Sequence, residues 1–271
     1  MPDSDSTQSI ALGLEYDGSQ FHGWQRQQQQ CSVQQCLEQG LSAVAAEPVR
    51  VVAAGRTDTG VHATGQVVSF TAPVTRDLNA WVRGTNSLTP AALSVTWAQR
   101  VPKTFHARFR ATARQYLYII REAATRPAIA RDYFCYCNAQ LDEAAMYKAA
   151  QILIGEHDFS AFRAAGCQSS TPVRRMHKLE VQRFSNTLVI SVTANAFLQH
   201  MVRNLVGSLV MVGQGERPVD WIAELLRHKD RQRAGKTAPP QGLYLHRVYY
   251  DGDYNFPRPE LPAVLSPLGQ I

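Results

Sequence analysis

Apolar side chains recur at every second position through Ile10, Leu12, Leu14 and Tyr16, the period of a strand with one covered face. The period changes after Ser32. Ser32-Val-Gln-Gln35 matches a capping box, in which a hydroxyl accepts from the N–H three residues on. Val33, Leu37, Leu41 and Val44 then follow helical spacing until Pro48. Residues 49–54 read as a strand, followed by a Gly/Thr/Asp loop and a strand over 66–71. Asp77 is placed to cap a short helix carrying Leu78, Trp81 and Val82, and Leu93, Val95 and Trp97 alternate in another strand. The order is βαββαβ.

The second half repeats that order. Tyr116, Tyr118 and Ile120 fall on one strand, Asp142 opens a helix through about Ile154, and strands follow over 176–184 and 187–193. Leu198, Val202, Leu205, Leu209 and Val212 fit a helix ended by Gly213, and a short helix over 219–228 precedes a strand over 243–250. The chain therefore reads as α+β, with two tandem ferredoxin-like halves whose antiparallel sheets flank a central cleft. The expected division is 1–106 and 107–271, within the stretch from Pro102 to Ala113. A cleft between such halves is a natural place for a site.

Composition narrows the class. Hydrophobic residues make up 45% and charged ones 18%, a globular balance. No apolar run approaches the ~20 residues that span a bilayer. The start of the chain is polar, with Asp3 and Asp5, and lacks the basic opening and apolar stretch of a secretion signal, so a cytoplasmic protein is expected. Five cysteines with no such signal argue against a disulfide framework. Cys135 and Cys137 are the close pair; one C-x-C reads as alternate side chains on a strand, and no metal is expected. The formal net charge of +6 favours a polyanionic partner, with Arg108, Arg110 and Arg114 in one cluster, Arg174, Arg175 and Lys178 in a second, and 227–236 in a third.

The densest chemistry lies in the loop Ala54-Gly-Arg-Thr-Asp-Thr-Gly-Val-His-Ala63. A carboxylate and a guanidinium sit between two glycines with an imidazole just beyond, which resembles a site more than a plain turn. Asp58-Thr-Gly60 is also the tripeptide of aspartic proteases, but that chemistry needs two such carboxylates and the chain has no second copy. Neither a P-loop nor a dinucleotide fingerprint is present, so no nucleotide cofactor is expected. Tyr116 and Tyr118 share one side of a strand, a common platform for stacking bases. A non-catalytic RNA-binding module is the alternative that composition alone leaves open.

The string Gly55-Arg56-Thr57-Asp58-Thr59-Gly60-Val61-His62-Ala63 closely resembles the signature of the tRNA pseudouridine synthase A family. The resemblance extends through Glu15-Tyr-Asp-Gly18, Gly23-Trp-Gln25, Phe105-His-Ala-Arg-Phe109, Arg114-Gln-Tyr-Leu-Tyr118, Asp158-Phe159, Phe162-Arg163, Phe197-Leu-Gln-His-Met-Val-Arg-Asn204 and Gly242-Leu-Tyr-Leu245. It implies an isomerase that turns uridine into pseudouridine at positions 38, 39 and 40 of the tRNA anticodon stem-loop. It also implies a homodimer with tRNA as partner and no cofactor. Asp58 is then the catalytic carboxylate and Arg203 its charge partner. Tyr116 stacks on the target base, and Arg56 assists extrusion of the nucleotide. His62 and Arg163 join the substrate-binding set.

Overall fold

The computed structural model describes residues 8–252 and 254–261. They form two compact units. The first holds 8–112 together with the described residues from Leu245 on, and the second holds 113–244. Packing thus divides the chain differently from a single cut at 106/107, because the last strand returns to the first unit.

In the first unit, β1 (Gln8–Tyr16) lies between β3 (His62–Ala72) and β4 (Leu93–Val101), antiparallel to both. β2 (Val52–Ala53) pairs with β3. Helices α1 (Val33–Ala45) and α2 (Leu78–Leu88) connect these strands. Ile10 stands opposite Phe70, and Trp81 of α2 meets the Phe70 ring edge-on at 5.2 Å. The other face of β1 carries the small residues Ala11 and Gly13, which admit an aromatic layer. A Cβ on Gly13 would lie 2.0 Å from Trp97 Nε1. Trp97 stacks on Phe256 at 4.8 Å, and Phe105, Tyr250 and Tyr254 pack around them. The alternation predicted one wet face. Instead Ile10, Ala11, Leu12 and Leu14 are all fully buried, because this C-terminal aromatic layer covers the second face.

In the second unit, β5 (Ala111–Glu122), β9 (Thr187–Ala194), β8 (Val173–Phe184) and β7 (Gly155–Asp158) are neighbours in that order, antiparallel throughout. β6 (Cys135–Cys137) runs parallel to β5. Helices α3 (Glu143–Gln151), α4 (Met201–Gly213) and α5 (Trp221–His228) complete it. Asp142 caps α3 by accepting from Ala145 N–H at 2.9 Å. α4 is buried nearly all round, and a Cβ on its Gly213 would strike Met146 of α3. β10 (Leu243–Tyr250) begins at the end of this unit, and from Leu245 its residues belong to the first, beside β3.

Three elements differ from the sequence reading. The strand expected over 49–54 shrinks to two residues because α1 side chains take the donors: Val49 N–H goes to Ser42 Oγ and Val51 N–H to Glu38 Oε1. α4 starts at Met201, after His200 in the left-handed region (φ 60°), so Leu198 and Gln199 precede the helix. β7, with the polar sequence Gly-Glu-His-Asp, carries no apolar period and was not foreseen.

Candidate active site

Asp58 sits in the turn before β3, with Val61 N–H donating to its carbonyl at 3.1 Å. The loop around it is fixed from several sides, all within the first unit. Gln66, fully buried, grips Gly55 twice: its Nε2 donates to Gly55 O at 2.6 Å and its Oε1 accepts from Gly55 N–H at 3.4 Å. The Tyr16 hydroxyl and Thr57 Oγ1 share a hydrogen bond of 2.8 Å, both groups buried. Burial raises the Tyr16 phenol well above its ordinary range, so it stays neutral. Trp24 N–H donates to Thr57 O at 3.0 Å. Gly23 makes that approach feasible: its φ is 80°, and a Cβ there would lie 2.9 Å from Thr57 O. Asp58 itself is partly exposed and Arg56 is exposed. The loop thus holds a solvent-reachable carboxylate in a fixed place, and the exposed Arg56 guanidinium two residues away is the group that can meet an anion.

His62 lies on β3 and is buried. Its Nδ1 accepts from Gly18 N–H at 3.1 Å, with Asp17 Oδ1 3.2 Å away. Gly18 is needed here, since a Cβ would lie 2.0 Å from Val61 O. The imidazole expected to bind substrate is therefore turned inward, where it joins the end of β1 to the exit of the Asp58 loop.

Tyr116 and Arg203 belong to the second unit. Every residue from Tyr116 to Ile120 on β5 is buried, so the strand lacks the open face that the paired tyrosines suggested. Tyr118 is fully buried and its hydroxyl donates to Pro239 O at 2.8 Å, a core role. Tyr116 keeps 8% of its surface, and its ring meets Phe197 edge-on at 5.0 Å. Arg203, in the first turn of α4, donates through Nε to Ala238 O at 2.7 Å. The stretch around Lys236 crosses the helix where Gly207, one turn on, offers no side chain: a Cβ there would lie 1.8 Å from Lys236 O. Arg203 is thus pinned rather than a solvated helix arginine. Arg163 donates to Cys167 O at 2.6 Å and Ser169 O at 2.8 Å, gathering the loop between β7 and β8.

Charge counted along the sequence overstates what is available to a ligand. Arg174 is buried and donates to Thr171 O, Val173 O and Ser169 Oγ. Arg231 donates to Asn204 Oδ1 and Thr237 Oγ1, both at 3.0 Å. Arg183 is paired with Glu122. In contrast, Arg108 and Arg110 are exposed, and they flank Phe109, whose surface is 76% exposed. The Phe109 ring stacks on His106 at 4.2 Å, with the Arg108 guanidinium 5.7 Å from its centre. An exposed aromatic among arginines is able to stack on a base, whereas apolar periodicity alone would place such a residue in the core.

The family model described as tRNA pseudouridine synthase matches residues 14–110 and 149–251, which include Asp58, His62, Arg163 and Arg203. The chain belongs to that family. A relative from Idiomarina loihiensis named tRNA pseudouridine synthase A is 52% identical over 96% of this chain and 98% of its own. Its namesakes from Shewanella amazonensis and Pseudomonas aeruginosa are 51% and 50% identical, over 95% and 97% of this chain and 99% and 93% of theirs. No helix of the described residues is long and apolar enough to cross a membrane, and none of their His, Cys, Asp and Glu side chains form a metal-holding group of three.

Proposed function

We propose that this synthase isomerises uridine to pseudouridine at positions 38, 39 and 40 of the tRNA anticodon arm, with Asp58 as the catalytic carboxylate. The observation that carries the reading is the Asp58 loop, a partly exposed carboxylate on a turn held by Tyr16, Trp24 and Gln66, inside the segment that the family model matches. The reaction breaks the bond from C1′ to N1, turns the base and joins C1′ to C5, whose proton leaves. Atoms and electrons balance without an oxidant, and the chemistry asks for no cofactor. It needs a group at an electron-poor C1′ or its ribose protons, and an ionised carboxylate supplies one. The target base must leave its stack, and Tyr116 is the aromatic proposed to receive it. Arg203 is proposed to keep the carboxylate in its charged form. Arg56 is proposed to assist extrusion and Arg163 to hold substrate through the loop it gathers. His62 is proposed to position the Asp58 loop rather than to touch RNA.

The same reading takes in a cytoplasmic homodimer and two ferredoxin-like halves, divided near residues 102–113. In the first unit, the neighbour order β4, β1, β3, with β2 on the far side of β3, supports the ferredoxin-like assignment.

Single-turnover assays on an unmodified tRNA transcript test the roles. Asp58→Asn keeps the shape and removes the charge. The expected result is a rate lower by at least about a hundredfold, with tRNA affinity and thermal midpoint close to the parent. A rate within tenfold of the parent would remove Asp58 from the chemistry.

A further inference from the structure

The start of α1 holds two thiols that the synthase reading leaves without a role. Cys31 precedes the cap residue Ser32, and Cys36 lies on the first turn. These are the two positions at which a hydrophobic pair usually staples the entering chain to a helix. Here the staple is made of sulfur: Cys31 Sγ and Cys36 Sγ are 3.1 Å apart. Cys31 is exposed and Cys36 buried. The rest of the cap is in place, with Ser32 Oγ accepting from Gln35 N–H. From this geometry we infer that Cys31 and Cys36 form an oxidation site, which a hydroperoxide converts to a disulfide that covalently staples the N-terminus of α1.

A disulfide needs an S–S separation of about 2.0 Å, so the sulfurs close by roughly 1 Å from where they stand. The exposed position of Cys31 makes it the sulfur that meets the oxidant. Its thiolate attacks the peroxide, the O–O bond breaks, and the distal oxygen leaves as water (or as an alcohol from an organic peroxide) once it takes a proton. Cys31 becomes a sulfenic acid. Cys36 then attacks that sulfur, the S–O bond breaks, and a second water departs. Two thiols lose two electrons and two protons, and one peroxide is reduced. Burial pushes the Cys36 thiol up to about 12. The second step therefore relies on the proximity of the two sulfurs and not on a preformed thiolate.

The staple has a route to the Asp58 loop. Cys31 O accepts from His22 N–H at 2.9 Å, and Gly23 O and Trp24 O accept from Val33 and Gln34 N–H at 3.2 and 3.0 Å. Gly23 and Trp24 in turn back Thr57. A covalent link from 31 to 36 fixes the chain entering α1 and so stiffens the strip behind Thr57.

The test treats the full chain with stepped hydrogen peroxide, blocks free thiols with N-ethylmaleimide and digests with trypsin. Both cysteines fall in one tryptic peptide, 27–50. The expected product is that peptide without either label and about 2 mass units lighter than its reduced form. Dithiothreitol restores both labels. The oxidised protein should melt several degrees higher, because a closed loop has fewer unfolded conformations. Cys31→Ser should abolish the mass change and the shift in melting together while leaving the basal rate unchanged. Oxidation of Cys31 with Cys36 still labelled, or a cross-link with no change in melting, would overturn the inference. None of these readouts depends on Asp58, so failure here leaves the isomerase reading untouched.

Discussion

Asp58 owes its position to residues that take no part in bond making. Tyr16 is a strand residue by its alternation, yet its hydroxyl ends on Thr57, next to the carboxylate. Tyr16→Phe should cost ~1 kcal/mol of stability for the lost hydrogen bond and lower the isomerisation rate several-fold with little change in KM for tRNA. An unchanged rate constant would make that bond a core feature only. At Tyr116, removing the ring should cost ~1–3 kcal/mol of substrate binding. Tyr116→Phe keeps the ring, so retained binding with a poor rate would assign work to the hydroxyl, whereas full activity in both Ala and Phe variants would place Tyr116 in the core. At this scale the sequence shows which residue types gather in the loop, and not what their side chains touch. Asp58 and Arg56 stand out because two glycines bracket them, and His62 because it follows two residues after the second. The roles of Gln66 and Tyr16 are silent in the sequence because side-chain hydrogen bonds to a loop leave no periodic trace. Arg174 and Arg231 read as surface charge because a sequence records a guanidinium and not the carbonyls that surround it.

At the scale of elements, helices with caps were read well, since Ser32, Asp77 and Asp142 each accept from the N–H that their position predicts. Short polar strands were not, because β7 and β2 are fixed by their neighbours. β10 shows how an element can carry a pH response. His246 Nδ1 and Thr64 Oγ1 are 2.8 Å apart in a buried setting. Burial, with Arg247 adding to it, lowers the His246 imidazole to about 4. The unfolded chain takes up this proton near pH 6.5, before the folded one does. Stability from this group is therefore full above about pH 6.5 and is lost as pH falls toward 4. The loss should be about 2–4 kcal/mol. Melting curves across that window should flatten in His246→Gln, and identical slopes for both proteins would remove His246 as the cause. In α4, Gly207→Ala should displace the stretch around Lys236 and loosen the Arg203–Ala238 bond, costing ~1–3 kcal/mol by overpacking. A neutral result in a denaturant titration would mean that stretch moves aside freely.

Over the whole molecule, net charge draws the polyanion, but the charges that face solvent decide the affinity. The structure removes Arg174, Arg183 and Arg231 from that set and leaves Arg108 and Arg110 beside Phe109. Arg110→Ala should therefore lower the slope of log affinity against log salt by about 1, and Phe109→Ala should weaken tRNA binding without changing that slope. Equal slopes for the parent and Arg110→Ala would take Arg110 out of the phosphate contacts. The return of the last strand to the first unit was not legible in the sequence. β10 reads as a strand from its own period, but its partner is chosen by packing that no local pattern records. The aromatic layer from Trp97 to Phe256 is its companion, and it covers a face that alternation alone leaves wet.

The most direct measurement maps pseudouridine at every uridine of an unmodified tRNA transcript after incubation with the pure protein, beside an Asp58→Asn control. The account predicts new pseudouridine confined to positions 38, 39 and 40 with the parent and none with the variant. Pseudouridine outside the anticodon arm, or the same yield from both proteins, would contradict it.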